Sequence, residues 1–171
     1  MSTNLLLVSP YNVNFYGGVQ NQVNLFKNNL DSSKFNIRIL APDSSDYDIG
    51  KSFRIPFNGS KNPISFLPNK QILNEAIAWA DIIHIHEPFI PLFFWRLKSS
   101  KKMVVTHHAK ISKFIFFGLK FLYLTLNNKN FYSTAVSDEA KANALALSNK
   151  TRIIPNSIVI DENISFIPNN N

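Results

Sequence analysis

NLLLVSPYNVNFYGGVQNQVNLFKNNLDSSKFNIRILA, residues 4–41, changes its periodicity twice. Asn4 to Ser9 is an unbroken apolar run closed by Pro10, which is how a strand buried on both faces reads. After the loop YNVNFYGG, residues Val19, Val23, Phe26 and Leu30 recur at intervals of four, three and four, the spacing of one buried helix face. Asn36 to Ala41 is a second apolar run, stopped by Pro42 and a polar tetrad. The order is strand, helix, strand.

Outward from this unit the alternation continues. Ser52 to Phe57 reads as a short strand that Pro56 confines to an edge, 58–69 as loop, and Lys70 to Ala80 as a helix. Strands are expected at Asp81 to Glu87, Lys102 to His107, Tyr132 to Val136 and Thr151 to Ile154. Helices are expected at Pro91 to Lys98, Lys113 to Leu126 and Asp138 to Leu147. Strands alternating with helices predict an α/β fold of the Rossmann-like, doubly wound kind, a mostly parallel sheet with helices on both faces. No internal repeat interrupts the pattern.

The whole chain has 171 residues, 45% of them apolar and 17% charged, which suits one globular domain and excludes wholesale disorder. Without cysteine, neither a disulfide framework nor a thiolate zinc site can form. The first residues, MSTNLLLVSP, lack the basic region of a signal peptide, so a cytoplasmic protein is expected. The net charge of +7 is concentrated: between Pro88 and Ser137 stand Arg96, Lys98, Lys101, Lys102, Lys110, Lys113, Lys120 and Lys129, with no acidic residue. Such a stretch attracts phosphate, whether of nucleic acid, lipid or substrate.

In an open parallel sheet ligands bind beyond the carboxyl ends of the strands. Three places there are chemically equipped. Tyr11 and then Gly17-Gly18 follow the first strand, and paired glycines before a helix admit a ligand close to unpaired N–H groups and the positive dipole end, a place for phosphate. The plainer alternative is a tight turn. His84-Ile85-His86-Glu87-Pro88 closes another strand, with His84 and His86 on one face and Glu87 at the exit pointing the other way. Thr106-His107-His108-Ala109-Lys110 closes the next, so all four histidines fall at two strand ends. A core histidine bonded to a carbonyl is the ordinary role for any one of them. Three of these nitrogens on zinc would be the competing arrangement, but the spacing matches no zinc motif, and no metal is expected. The helix at 113–126, KFIFFGLKFLYLTL, is shorter than the ~20 residues a spanning helix needs. Its polar stripe of Lys113, Lys120 and Asn127 suits either a core helix or one resting on an anionic membrane surface.

Taken in order, Ser9-Pro10-Tyr11, Gly17-Gly18-Val19-Gln20, Leu40-Ala41-Pro42, 55–60 (IPFNGS), His84 to Pro88, Thr106-His107-His108, Ala135 to Asp138 and Ile154-Pro155-Asn156 resemble the N-terminal half of a family-4 glycosyltransferase of the GT-B fold. The likeness is to the phosphatidylinositol mannosyltransferase type and covers about residues 3 to 160. It implies a Rossmann-like acceptor-side domain over 1–160, with 161–171 as a tail or the start of an interdomain linker. The implied activity is transfer of a sugar, with retention, from a nucleotide-sugar donor to a lipid, polyol-phosphate or glycan acceptor. The nucleotide sugar is then a co-substrate, and no cofactor is implied. Gly17 and Gly18 would lie over the donor diphosphate, Tyr11 and Gln20 would line the acceptor site, and Lys113 would meet an acceptor phosphate. His108 would be the catalytic histidine, Glu87 would form the cleft floor or orient a loop, and Thr106 joins the substrate-binding set.

The sequence departs from that family in three ways. Ala109 replaces the usual Thr or Ser after the active histidine, and Pro155-Asn156-Ser157 with a displaced Asp161 replaces Pro-Asn-Gly-x-Asp. The donor-binding second domain that the resemblance implies is expected to be missing after Asn171. The expected partners are therefore that missing domain, the two substrates and an anionic inner membrane face, and the isolated chain is expected to be inactive. Other classes are a non-catalytic binding module or gene remnant, and a basic nucleic-acid-binding domain, which lacks any recognition motif.

Overall fold

In the computed structural model, residues 2–54, 63–65, 69–88, 100–110, 131–144 and 150–158 are described. The expected helices at 91–98 and 113–126, Lys113, the 55–60 motif and the tail at 161–171 lie outside these residues, as does the end of the expected helix at 138–147.

The apolar runs became strands and the helical stripes became helices, in the order β1 (Thr3–Val8), α1 (Gly18–Asn29), β2 (Phe35–Ala41), β3 (Tyr47–Asp48), β4 (Phe53–Arg54), β5 (Pro63–Ile64), α2 (Lys70–Trp79), β6 (Ile82–His86), β7 (Lys102–His107), β8 (Phe131–Ala135), α3 (Asp138–Ala144) and β9 (Arg152–Ile153). Seven strands form one parallel sheet in the order β3-β2-β1-β6-β7-β8-β9. From β1 the chain first winds outward through β2 and β3, then returns to the other side of β1 and winds outward again from β6. The order therefore reverses between β1 and β6, and a reversal of this kind opens a crevice at the carboxyl ends of the two strands.

Strand alternation divides the core in two. Leu5, Leu7 and Ile39 meet Val23 of α1, with Val19, Phe26 and Leu30 packed against the same cluster, so the predicted helix face is the buried one. Leu6, Val8, Leu40, Ile83, Ile85, Met103 and Val105 face the other way, onto Leu73 and Ala76 of α2. With both faces covered, β1 is buried from Leu5 onward, which its continuous apolar run requires.

Two short elements differ from expectation. Tyr47–Asp48 adds a two-residue edge strand beside β2, and Pro63–Ile64, expected as loop, pairs antiparallel with Phe53–Arg54. Two residues carry no period, so only the completed pairing reveals them. Ile64 also bridges Tyr11, tying the small sheet to the loop after β1.

Candidate functional site

The site begins where α1 begins. Asn69 caps α2 with its own side chain, accepting from the N–H groups of Gln71 and Ile72, whereas Gly17 offers α1 no side-chain cap. Among the described residues no side chain caps the first N–H groups of α1, the kind of helix start that suits an anion. Gly17 has φ 178, extended backbone open to any residue, and a Cβ built on Gly18 meets nothing within 4 Å. Close internal packing does not demand the glycine at position 18, and open space lies beside it at the helix start.

Gln20, one turn into α1, is 1% exposed and its Nε2 has no hydrogen-bond partner. Tyr11 is buried in the cluster facing α2. Its phenol is pushed above its ordinary range by burial first and by the nearby Glu87 carboxylate second, which places the loop after β1 beside the end of β6.

Across the crevice, β6 and β7 end side by side, with His86 level with Thr106. His84 and His86 do share a face: their rings lie 4.2 Å apart, and Phe26 of α1 packs on both, at 5.4 and 5.8 Å. A polar chain crosses the sheet on this side. Thr134 Oγ1 donates to the Val105 carbonyl at 3.2 Å, Thr106 and Thr134 share a 2.7 Å bond, and His84 Nε2 lies 2.7 Å from Thr106 Oγ1. Because a carbonyl only accepts, the directions follow one from the next: Thr106 donates to Thr134, and His84 donates from Nε2. The Thr106 hydroxyl is therefore used in both of its roles within the sheet.

Glu87 breaks the alternation of β6. Its φ is 56, in the left-handed region, and its carboxylate reaches the turn after β7. There one oxygen, Oε1, accepts the backbone N–H groups of His108 and of Ala109, the latter at 3.1 Å. Glu87 N–H in turn donates to the Thr106 carbonyl at 3.0 Å. Burial lifts the carboxyl to about 7, with the two backbone N–H bonds pulling the other way.

His108 is held at a second point: its Nε2 lies 2.9 Å from His86 Nδ1, and the rings stack 5.2 Å apart. Burial lowers His108 to about 4, and burial with neighbouring rings holds His84, His86 and His107 well below the usual histidine range. At neutral pH the cluster is uncharged. Among the described residues no group of three His, Asp or Glu side chains is arranged to hold a metal ion.

The structure thus gathers Tyr11, the start of α1, Glu87, Thr106 and His108 along the carboxyl edge of three adjacent strands. Tyr11, Gln20 and Thr106 are buried there, and the Thr106 hydroxyl is engaged by His84 and Thr134. Sequence reasoning missed Gln22, whose side chain exchanges two hydrogen bonds with the backbone of Ser157, at 2.6 and 2.9 Å. A glutamine next to an apolar helix stripe carries no signal that its partner is 135 residues away.

The model of Glycosyltransferase Family 4 matches residues 16–162. The chain belongs to glycosyltransferase family 4. Two curated relatives are named phosphatidyl-myo-inositol mannosyltransferase. The protein from Mycobacterium leprae (strain TN) is 28% identical over 171 residues, covering 91% of this chain and 45% of the relative. The protein from Mycolicibacterium smegmatis (strain ATCC 700084 / mc(2)155) is 33% identical over 119 residues, covering 63% and 31%. The chain therefore spans less than half the length of these family-4 relatives. Among the described residues no helix is long and apolar enough to cross a membrane.

Proposed function

We propose that this chain is the acceptor-side half of a retaining, nucleotide-sugar-dependent glycosyltransferase. The observation that supports the reading is the reversal of strand order between β1 and β6, with the start of α1, free of a side-chain cap, following β1 and Glu87 bonded to His108 at the ends of β6 and β7. The helix start takes the donor diphosphate, since aligned N–H groups and the helix dipole stabilise anions. His108, neutral and fixed, hydrogen-bonds the transferring sugar as positive charge develops at its anomeric carbon. Gln20 and Tyr11 border the acceptor, Lys113 meets its phosphate, and Thr106 buttresses His84 and Glu87. The donor sugar and most of the nucleotide are held by a second domain supplied outside these residues, and this half alone is inactive.

The names of the relatives favour a phosphoinositol lipid as acceptor, which would bring the domain to the cytoplasmic face of a membrane. Flotation with anionic liposomes tests this point; no shift relative to neutral lipid argues against it. Joining the chain to the C-terminal half of a family-4 relative should yield measurable transfer. In that protein His108→Ala should lower turnover by about 100-fold or more. Unchanged turnover in the variant overturns the role of His108.

A further inference from the structure

We propose that Glu87 is a positioning residue that holds His108 in place, and that His86 couples its own ring proton to that of His108. The role in catalysis rests on the reading of His108 given above; the geometry does not. Glu87 grips β7 on both sides of His107: its N–H binds the Thr106 carbonyl before it, and its Oε1 collects the N–H groups of His108 and Ala109 after it. A carboxylate accepting two successive backbone N–H groups fixes the turn that carries the histidine. The left-handed backbone at Glu87 aims it there, since an extended residue following His86 would point to the face of Ile83 and Ile85. A non-glycine residue in that conformation is strained, and strain of this kind is retained where it orients a working group.

The ring is fixed separately. His86 Nδ1 and His108 Nε2 share one hydrogen bond, and the outer nitrogens, His86 Nε2 and His108 Nδ1, are buried and find no partner among the described residues. Each neutral imidazole carries one proton. If His86 donates, His108 must carry its proton on Nδ1; if His108 donates, its Nδ1 is an open acceptor and His86 is protonated on Nε2. The two rings therefore change tautomer together.

The test uses the full chain labelled with 15N, read by long-range imidazole spectra and amide hydrogen exchange. The His108 and Ala109 amides should be protected by about 100-fold or more over an unstructured peptide. His86 and His108 should show matching tautomers, both protonated on Nδ1 or both on Nε2, with His84 protonated on Nε2 as an internal control. Glu87→Gln keeps an acceptor oxygen and should preserve both signatures. Glu87→Ala should abolish protection of the two amides and let His108 average between tautomers, while His84 and the amides of β6 and β7 remain unchanged. Peptide-like exchange in the wild-type chain, or both signatures intact in Glu87→Ala, overturns the proposal; if that variant does not fold, the wild-type and Glu87→Gln spectra decide. In the two-domain transferase Glu87→Ala should lower kcat by about tenfold or more at nearly constant KM, with recovery in Glu87→Gln. Loss of kcat unrescued by Gln would count against positioning. Full activity of His108→Ala would remove the catalytic reading while leaving the spectra to judge the clamp.

Discussion

At Gly18 one missing methyl group separates stability from binding. The backbone is helical there and the space beyond is open, so Gly18→Ala should leave stability unchanged or raise it by up to about 1 kcal/mol, as alanine favours helix. On the proposed reading, the same methyl group would intrude on the donor diphosphate. Urea unfolding of the variant, set beside donor affinity in the two-domain protein, checks both halves: intact stability with weakened donor binding is expected, and intact donor binding sinks the phosphate assignment. The four histidines and the two glycines were legible in the sequence because strand ends are where a parallel sheet places ligands. The bonds among them were not. Whether Glu87 faced along β6 or across to β7 depends on one backbone angle, and no residue pattern around HIHEP encodes it.

Elements with a period could be found in the sequence, and elements without one could not. The buried stripe of α1 and the unbroken run of β1 each impose a repeat, and both appear within a residue or two of their expected bounds. β3 and β5 have two residues each and exist through their neighbours, β2 and β4. Tertiary contact also explains the second polar face of α1, where Gln22 is buried because the 154–158 segment crosses it. Gln22→Ala should strip the Ser157 amide of its protection from hydrogen exchange and cost about 1–2 kcal/mol, leaving β1 and β6 protected. Undiminished protection at Ser157 would mean that another contact anchors the segment.

For the whole molecule, the neutral histidine cluster sets an acid limit. In the fold all four histidines are held below their usual range, whereas in the unfolded chain each takes up a proton near pH 6.5. Unfolding below that pH therefore binds protons, and the stability present above about 6.5 drains as pH falls toward 4, by up to about 1.4 kcal/mol per pH unit for each ring. Glu87 works in the opposite sense: raised to about 7, its neutral form favours the fold at low pH and this contribution is lost as pH rises from about 4.5 to 7. Four histidines outweigh one carboxyl, so urea midpoints measured at pH 7.5, 6.0 and 5.0 should fall in that order. A midpoint independent of pH over this interval would mean that the rings are open to water.

The strap between Gln22 and Ser157 also bears on how the polypeptide is made. In α1 the single side-chain amide of Gln22 cannot make its two bonds to Ser157 until residue 157 has emerged, long after β1 and β2 are free to pair. Synthesis in the N-to-C direction thus delivers α1 with this contact still unbuilt, so nascent chains halted before residue 157 carry a loosened α1.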